Sequence, residues 1–291
     1  MWRVAFAAVL LFGSVFGTAA QPRVEKLAPN LYAYVSDNDH SSNATFLIGQ
    51  HGILVVDTGL DSQEGQKLLK EIRELSTLPV QFIVNTHYHP DHQGGNGVVG
   101  PDAVVISSAF TRERTLQLLS RLQADKSASP PAFRPATETL EQKLTIFLDD
   151  IPVEIVLVGA AHTLGDVYVY FPKQRAVAAG DLYLTNSSPA MDQGSASEWI
   201  RALDAMLGLE ADHFVAGHFE VGTRATMTRF RDYLAELYDQ VRKLRLSGVA
   251  AAAVREHINM KKYADFRQYP QFHATFADNA EAIYQQLGGS P

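Results

Sequence analysis

The chain contains no cysteine. That absence excludes a disulfide framework, a lipid-modified N-terminal cysteine and every thiolate metal ligand, so any metal site has to be built from imidazole and carboxylate. Such donors suit zinc, iron or manganese. Positive charge is also scarce. With 25 Lys+Arg against 32 Asp+Glu the formal net charge is -7, which offers no surface for a polyanion and speaks against nucleic acid as a partner. Long apolar runs are missing as well: the run Val4–Phe16 is too short to span a bilayer comfortably, and nothing comparable follows. Preceded by Arg3 and followed by the small residues Gly17, Thr18, Ala19 and Ala20, it has the three-part layout of a signal peptide. Residues 1–20 are therefore expected to be cleaved after Ala19 or Ala20, leaving a periplasmic or secreted protein with no stable membrane insertion.

What remains, residues 21–291, is long enough to bury a full core and reads as one domain. Short apolar runs end repeatedly in a polar residue: 53-ILVVD-57, 81-QFIVN-85, 175-RAVAAGD-181 and 213-HFVAGH-218. These read as buried strands that deliver side chains at their ends. Further strands are expected at Ala44–Ile48, Leu144–Leu148, Val153–Val158 and Val167–Phe171. Between them lie helical patterns: Asp61 to Ser76, opened by a capping-box-like Asp61 and Glu64, and a second helix from Ser195 and Glu198 through Leu207. The alternation predicts an α/β layered domain. The stretch 124-ADKSASPPAFRP-135 cannot hold a regular helix across Pro130 and Pro131 and reads as an exposed loop. From about residue 223 the chain becomes mainly helical.

The segment 85-NTHYHPDHQGGN-96 places three histidines and an aspartate within six residues after an apolar strand. If Thr86 to His89 stays extended, His87 and His89 point the same way, and Pro90 favours an extended His89. The turn that must follow aims Asp91 and His92 elsewhere, so one segment can serve two neighbouring metals. Gly94 and Gly95 suit a tight backbone beside the cluster, where a side chain would obstruct the metals or the substrate.

This H-x-H-x-D-H cluster lies after Asp57 in VVDTG and before His162 in AAHTLGD, Asp181 in AAGD and His218 in VAGH. In that order the pattern resembles the metallo-β-lactamase superfamily, most like its exported glyoxalase-like and quinoprotein-relay-type metallohydrolases. The resemblance implies a four-layer αββα sandwich with two metal ions, zinc first and iron or manganese as alternatives. It implies that His87, His89 and His162 hold one ion, that Asp91, His92 and His218 hold the other, and that Asp181 bridges them. Asp57 would support the ligands from behind, against the plainer reading of a turn aspartate ahead of Thr58 and Gly59. Asp91 would also orient or shuttle a proton for the attacking water, which the metals ionise near neutral pH.

Other features are weaker. The run 95-GNGVVG-100 matches G-x-G-x-x-G but does not leave a strand, so a dinucleotide role lacks its context. Tyr183 is a candidate donor to a substrate oxygen, with packing as the alternative. His40 is placed near the site mouth, and His51, His213, His257 and His273 read as surface or packing residues. Asn43-Ala44-Thr45 and Asn186-Ser187-Ser188 match the glycosylation sequon. In the tail from Lys261 to Gly289, Tyr263, Phe266, Tyr269, Phe272 and Phe276 either line the substrate cleft or pack on the outer face of the sandwich.

The function expected from all this is hydrolysis of an amide, ester, thioester or lactone of a small molecule, with β-lactam turnover included. The aspartate at 181 departs from β-lactamases that place cysteine there. The alternatives are an iron-dependent sulfur dioxygenase of the same fold, using one metal, and a non-catalytic periplasmic binding protein.

Overall fold

The computed structural model describes residues 21–124, 133–191 and 193–288. The expected signal peptide and residues 125–132 of the expected loop lie outside the described residues. None of the described helices is long and apolar enough to cross a membrane.

Two sheets face each other. The first has seven strands in sequential order, from Arg23–Ala28 through Leu31–Val35, Ala44–Ile48, Ile53–Val56, Val80–Val84 and Val104–Ser108 to Glu138–Leu140. The second has six, running Gly222–Thr223, His213–Ala216, Ala176–Gly180, Asp166–Phe171, Ile151–Gly159 and Lys143–Leu148. Successive strand residues point to opposite faces, and the sequence uses both. Leu54 and Val56 face inward and meet Val167, Val169 and Phe171 of the other sheet, while Ile53 and Val55 face outward onto Leu68 and Ile72 of the helix Ser62–Leu75. On the second sheet Tyr168 and Tyr170 face outward onto a layer that includes Trp199, Leu203 and Met206 of the helix Ala196–Leu207. Strands covered on both faces read as continuous apolar runs, which is why ILVV and AVAA have no polar alternation. Burying each large aliphatic side chain in such a layer stabilises the fold by roughly 1.5–3 kcal/mol.

The outer layer over the second sheet is completed by the long helix Arg224–Leu246, which buries Met227, Phe230, Leu234, Leu237 and Val241 along one stripe. The result is the αββα sandwich that the resemblance implies. Asp61 caps the first helix, accepting from the backbone N–H of Gln63 and Glu64. Glu64 does not close a reciprocal box; its carboxylate takes the Lys67 ammonium at 3.0 Å.

Strand direction positions the site. Ile53–Val56 and Val80–Val84 are parallel neighbours, and so are Ala176–Gly180 and His213–Ala216. Each pair therefore delivers its following residues to the same edge: Asp57 and the histidine segment from the first sheet, Asp181 and His218 from the second. Ligand sites of α/β sheets form beyond such carboxyl ends. Two backbone hydrogen bonds tie the sheets together at this edge, Val167 N–H to Thr86 O at 2.8 Å and Asn43 N–H to Gly217 O at 2.7 Å.

Candidate metal centre

The histidine segment folds as its residue types dictate. His89 stays extended at φ -62° and ψ 142°, as a residue before proline must, and Pro90 opens a single helical turn, Pro90–Gln93. That turn reverses the direction of Asp91 and His92 relative to His87 and His89. The donors accordingly form two groups, His87, His89, His162 and Asp181 in one and Asp91, His92 and His218 in the other, the donor atoms within each lying within 4.8 Å of one another.

Asp181 belongs to both. Its Oδ2 lies 3.5 Å from His162 Nε2 and 4.0 Å from His87 Nε2, whereas its Oδ1 lies 3.2 Å from His92 Nε2 and 3.5 Å from His218 Nε2. Within the first group His89 Nδ1 is 2.9 Å from His87 Nε2 and 3.1 Å from His162 Nε2. In the second, Asp91 Oδ2 sits 3.1 Å from His218 Nε2 and 3.5 Å from His92 Nε2. Gly217 makes the arrangement feasible: a Cβ there would collide with Asp181 Oδ1.

Asp57 is not a plain turn residue. It adopts the left-handed region at φ 57°, which an aspartate tolerates better than most residues. There its carboxylate accepts from Thr86 N–H at 2.9 Å, from the Thr86 hydroxyl at 2.8 Å and from His92 Nδ1 at 2.8 Å. The last bond fixes the tautomer and turns Nε2 of His92 toward the donor cluster. Asp166 does comparable work behind His162, accepting from the backbone N–H of His162 at 2.7 Å and of Thr163 at 2.8 Å. Burial pushes its carboxyl up to about 6 against those bonds.

The electrostatics divide along the same line. Burial holds the His87 imidazole well below its ordinary pKa, and the neighbouring imidazoles of His92, His89 and His162 press the same way. For His92 burial opposes charge, but the carboxylates of Asp181, Asp57 and Asp91 outweigh it and raise the imidazole well above its usual range. His218 is raised too, burial being outweighed by Asp181 and Asp91. Asp181 is held well below the carboxylate range, since His92, His218 and His162 overcome the cost of its burial.

These residues fit a pair of divalent ions. His92 Nε2 and Asp181 Oδ1 are buried and face each other at 3.2 Å outside hydrogen-bonding geometry, with no other partner, a costly state for two polar atoms unless something else engages them. An ion between them would do so. The ligand set, five imidazoles and two carboxylates, is one that zinc accepts.

Above the donors opens a cleft of about 710 Å³ lined by His89, Asp91, His162, Asp181 and His218 from below. The tail aromatics divide over it. Tyr269 and Phe272 line the cleft, whereas Tyr263 and Phe266 belong to the core beneath the long helix, with Phe276 packed against it. His40 lines the mouth as expected; so does His273, expected as a surface or packing residue.

One expectation is corrected at Tyr183, one is met at Gly94 and Gly95, and at Asn43 a role emerges that the sequence did not signal. Tyr183 is fully buried and donates its hydroxyl to Thr226 Oγ1 at 2.8 Å, so it is a core residue outside the cleft lining. The tight backbone expected at Gly94 and Gly95 is present, and what a Cβ at either would strike is the main chain at Leu60 or Thr58. Asn43, the first residue of a sequon, is buried, and its amide donates to Ala216 O at 3.0 Å and Phe219 O at 2.8 Å while accepting from Ser36 N–H at 3.1 Å. It clasps the His218 loop to the first sheet, a function for which the run Ser41-Ser42-Asn43 gave no signal beyond its small polar character.

A fold of two facing sheets with this donor cluster at one edge defines a metallohydrolase class. The family model for the metallo-beta-lactamase superfamily matches residues 37–218, and the chain belongs to that superfamily. Members of that superfamily bind divalent metals, and the two donor groups of this chain could hold such ions. Among its relatives, the 2,4-dinitroanisole O-demethylase subunit alpha of Nocardioides sp. (strain JS1661) is 26% identical over 76% of this chain and 63% of its own length. A metallo-beta-lactamase type 2 of Elizabethkingia meningoseptica is 21% identical over 83% of this chain and 96% of its own. Among solved structures, a stereoselective inverting sec-alkylsulfatase from Pseudomonas sp. superposes with a TM-score of 0.72 at 17% identity, covering 92% of this chain and 51% of that one. The chain thus spans only part of the demethylase subunit and about half of the alkylsulfatase.

Proposed function

We propose that the protein is a two-zinc hydrolase that cleaves an amide, ester, thioester or lactone of a small molecule. The observation that carries this reading is the division of Asp181, one oxygen toward His87 and His162 and the other toward His92 and His218. A single-iron dioxygenase needs only one of these groups, and a binding protein needs neither. Two bound divalent ions would supply Lewis acidity to a substrate oxygen and lower the pKa of water in the site.

The chain's own residues do the rest. Asp91 lines the cleft and faces His218 through Oδ2, which supports its carboxylate as the group that takes a proton from the attacking water and returns it to the leaving group. Asp57 and Asp166 hold His92 and His162 in orientation from outside the cluster. The demethylase and β-lactamase relatives act, by their names, on an aryl ether and on β-lactams; the electrophile differs while the fold is shared, so β-lactam turnover is a secondary activity in this proposal.

The test is metal analysis of the purified full chain joined to a substrate comparison: nitrocefin, a lactone, a thioester, a sulfate ester and a phosphodiester on zinc-loaded enzyme. Two zinc ions per chain with turnover of an acyl substrate are expected. Cleavage confined to the phosphodiester, or one iron per chain with oxygen uptake on a persulfide, overturns the proposal.

A further inference from the structure

The walls of the cleft specify more than the bond. One wall is a continuous series of rings starting at a metal-group residue: His218 and Phe219 have centroids 6.1 Å apart, Phe219 and Tyr269 stack at 5.9 Å with only 7° between their planes, and Tyr269 and Phe272 are 6.4 Å apart. His40 closes the series edge-on to Phe272 at 5.4 Å. Leu60 and Leu184 add apolar surface to the lining.

This wall is built, not incidental. Phe219 sits at φ 71°, a left-handed conformation unfavourable for a bulky residue, and Asn43 holds it there by donating to its carbonyl at 2.8 Å. Behind it the Arg267 guanidinium stacks at 4.4 Å, pairs with Glu220 at 2.8 Å and donates to Thr185 O at 3.0 Å. That arginine is spent on the wall and does not face the cleft. Phe272 is 48% exposed, an apolar ring kept at the mouth where water would otherwise favour a polar one.

Charge is distributed with the same bias. Among the described residues the lining has no lysine or arginine; its acids are Asp39, Asp91 and Asp181 and its basic side chains are imidazoles. A substrate carrying a second anionic group away from the scissile bond would lose its hydration there and gain no cationic partner.

We infer that the substrate is electrically neutral and carries, on the side away from the scissile bond, a flat aromatic ring that lies against Phe219, Tyr269 and Phe272. This rests on the hydrolase reading and narrows it. Ring stacking adds a factor of about three to ten over an aliphatic group of equal size.

The test compares three esters on the zinc-loaded full chain: ethyl 3-phenylpropanoate, its cyclohexyl counterpart and its para-sulfonated counterpart. The phenyl ester is expected to exceed the cyclohexyl one in kcat/KM by about threefold to tenfold, with the sulfonated ester poorest. Phe272→Leu, a change at a half-exposed position, should erase the phenyl preference while keeping the fold. Equal rates for phenyl and cyclohexyl, or preference for the sulfonate, overturn the inference and leave the hydrolase reading standing. Should no ester be cleaved, the hydrolase reading is decided by the lactam, lactone and thioester substrates named above, and calorimetric binding of the corresponding phenyl and cyclohexyl amides to wild type and Phe272→Leu decides this inference: tighter phenyl binding lost in the variant supports it, and equal binding sinks it.

Discussion

His92 gives its Nδ1 to the carboxylate of Asp57 at 2.8 Å, and the same Asp57 holds the backbone and hydroxyl of Thr86 one residue before His87. One aspartate thereby sets the direction of a donor in the second group and the start of the segment that supplies the first. Replacing Asp57 with Asn removes the charge that keeps His92 in its tautomer. Metal affinity at the second group should fall about 10–100-fold, read by competition with a chromophoric chelator; unchanged affinity would mean that Asp57 is a turn residue after all.

Asp181→Ala takes one oxygen from each group. The three imidazoles of His87, His89 and His162 remain, and the expected stoichiometry drops from two ions to about one, with turnover reduced. Metal analysis after dialysis checks it. Full occupancy with full activity in this variant would contradict a bridging carboxylate.

Asn43→Ala takes the side-chain partner from the buried Ala216 carbonyl and from two half-buried backbone groups, at Ser36 and Phe219. Each unsatisfied group costs about 1–3 kcal/mol, so a clear loss of stability is expected in denaturant melts. Because Ala216 and Phe219 flank His218, turnover should fall in the fraction that stays folded. A midpoint equal to wild type would remove the clasp from the account.

Tyr233 ties the long helix to the cleft wall: its hydroxyl meets Ser188 Oγ at 3.1 Å and takes a hydrogen bond from Asn279 at 2.9 Å. Burial pushes this phenol up to about 12 from 10.0. A raised folded-state pKa contributes stability that is complete below pH 10 and is lost as pH rises toward 12, because the unfolded chain releases the proton first. The loss from this residue is about 2–3 kcal/mol. Stability measured from pH 9 to 12 should decline less steeply in Tyr233→Phe than in wild type, and parallel curves would argue against it.

Much of the fold was readable because its signals are local. The run Ala44–Ile48 is a strand with the expected bounds, and Asp61 and Ser76 flank the helix Ser62–Leu75. What escaped were elements whose pattern is weak by itself: the helix Ala109–Ala124, with little segregation of its apolar residues, and the three-residue strand Glu138–Leu140, which exists because Val104–Ser108 offers it an edge.

The sequence by itself determined the chemistry of the donors, their order along the chain and the split of the His87–His92 segment between two directions, since imidazoles two apart before a proline and a turn after it leave little freedom; the division of His162, Asp181 and His218 came from the resemblance. Tertiary structure decided what those donors meet. Asn43 reaches Ala216 across 173 positions and Asn279 reaches Ser188 across 91; no local pattern encodes such contacts, because a side chain's direction depends on which sheet face packs and on what covers it. For the same reason Tyr183 turned into the core, Asp181 turned its two oxygens apart over Gly217, and five similar aromatics of the C-terminal segment were divided between a buried layer and the wall of the cleft.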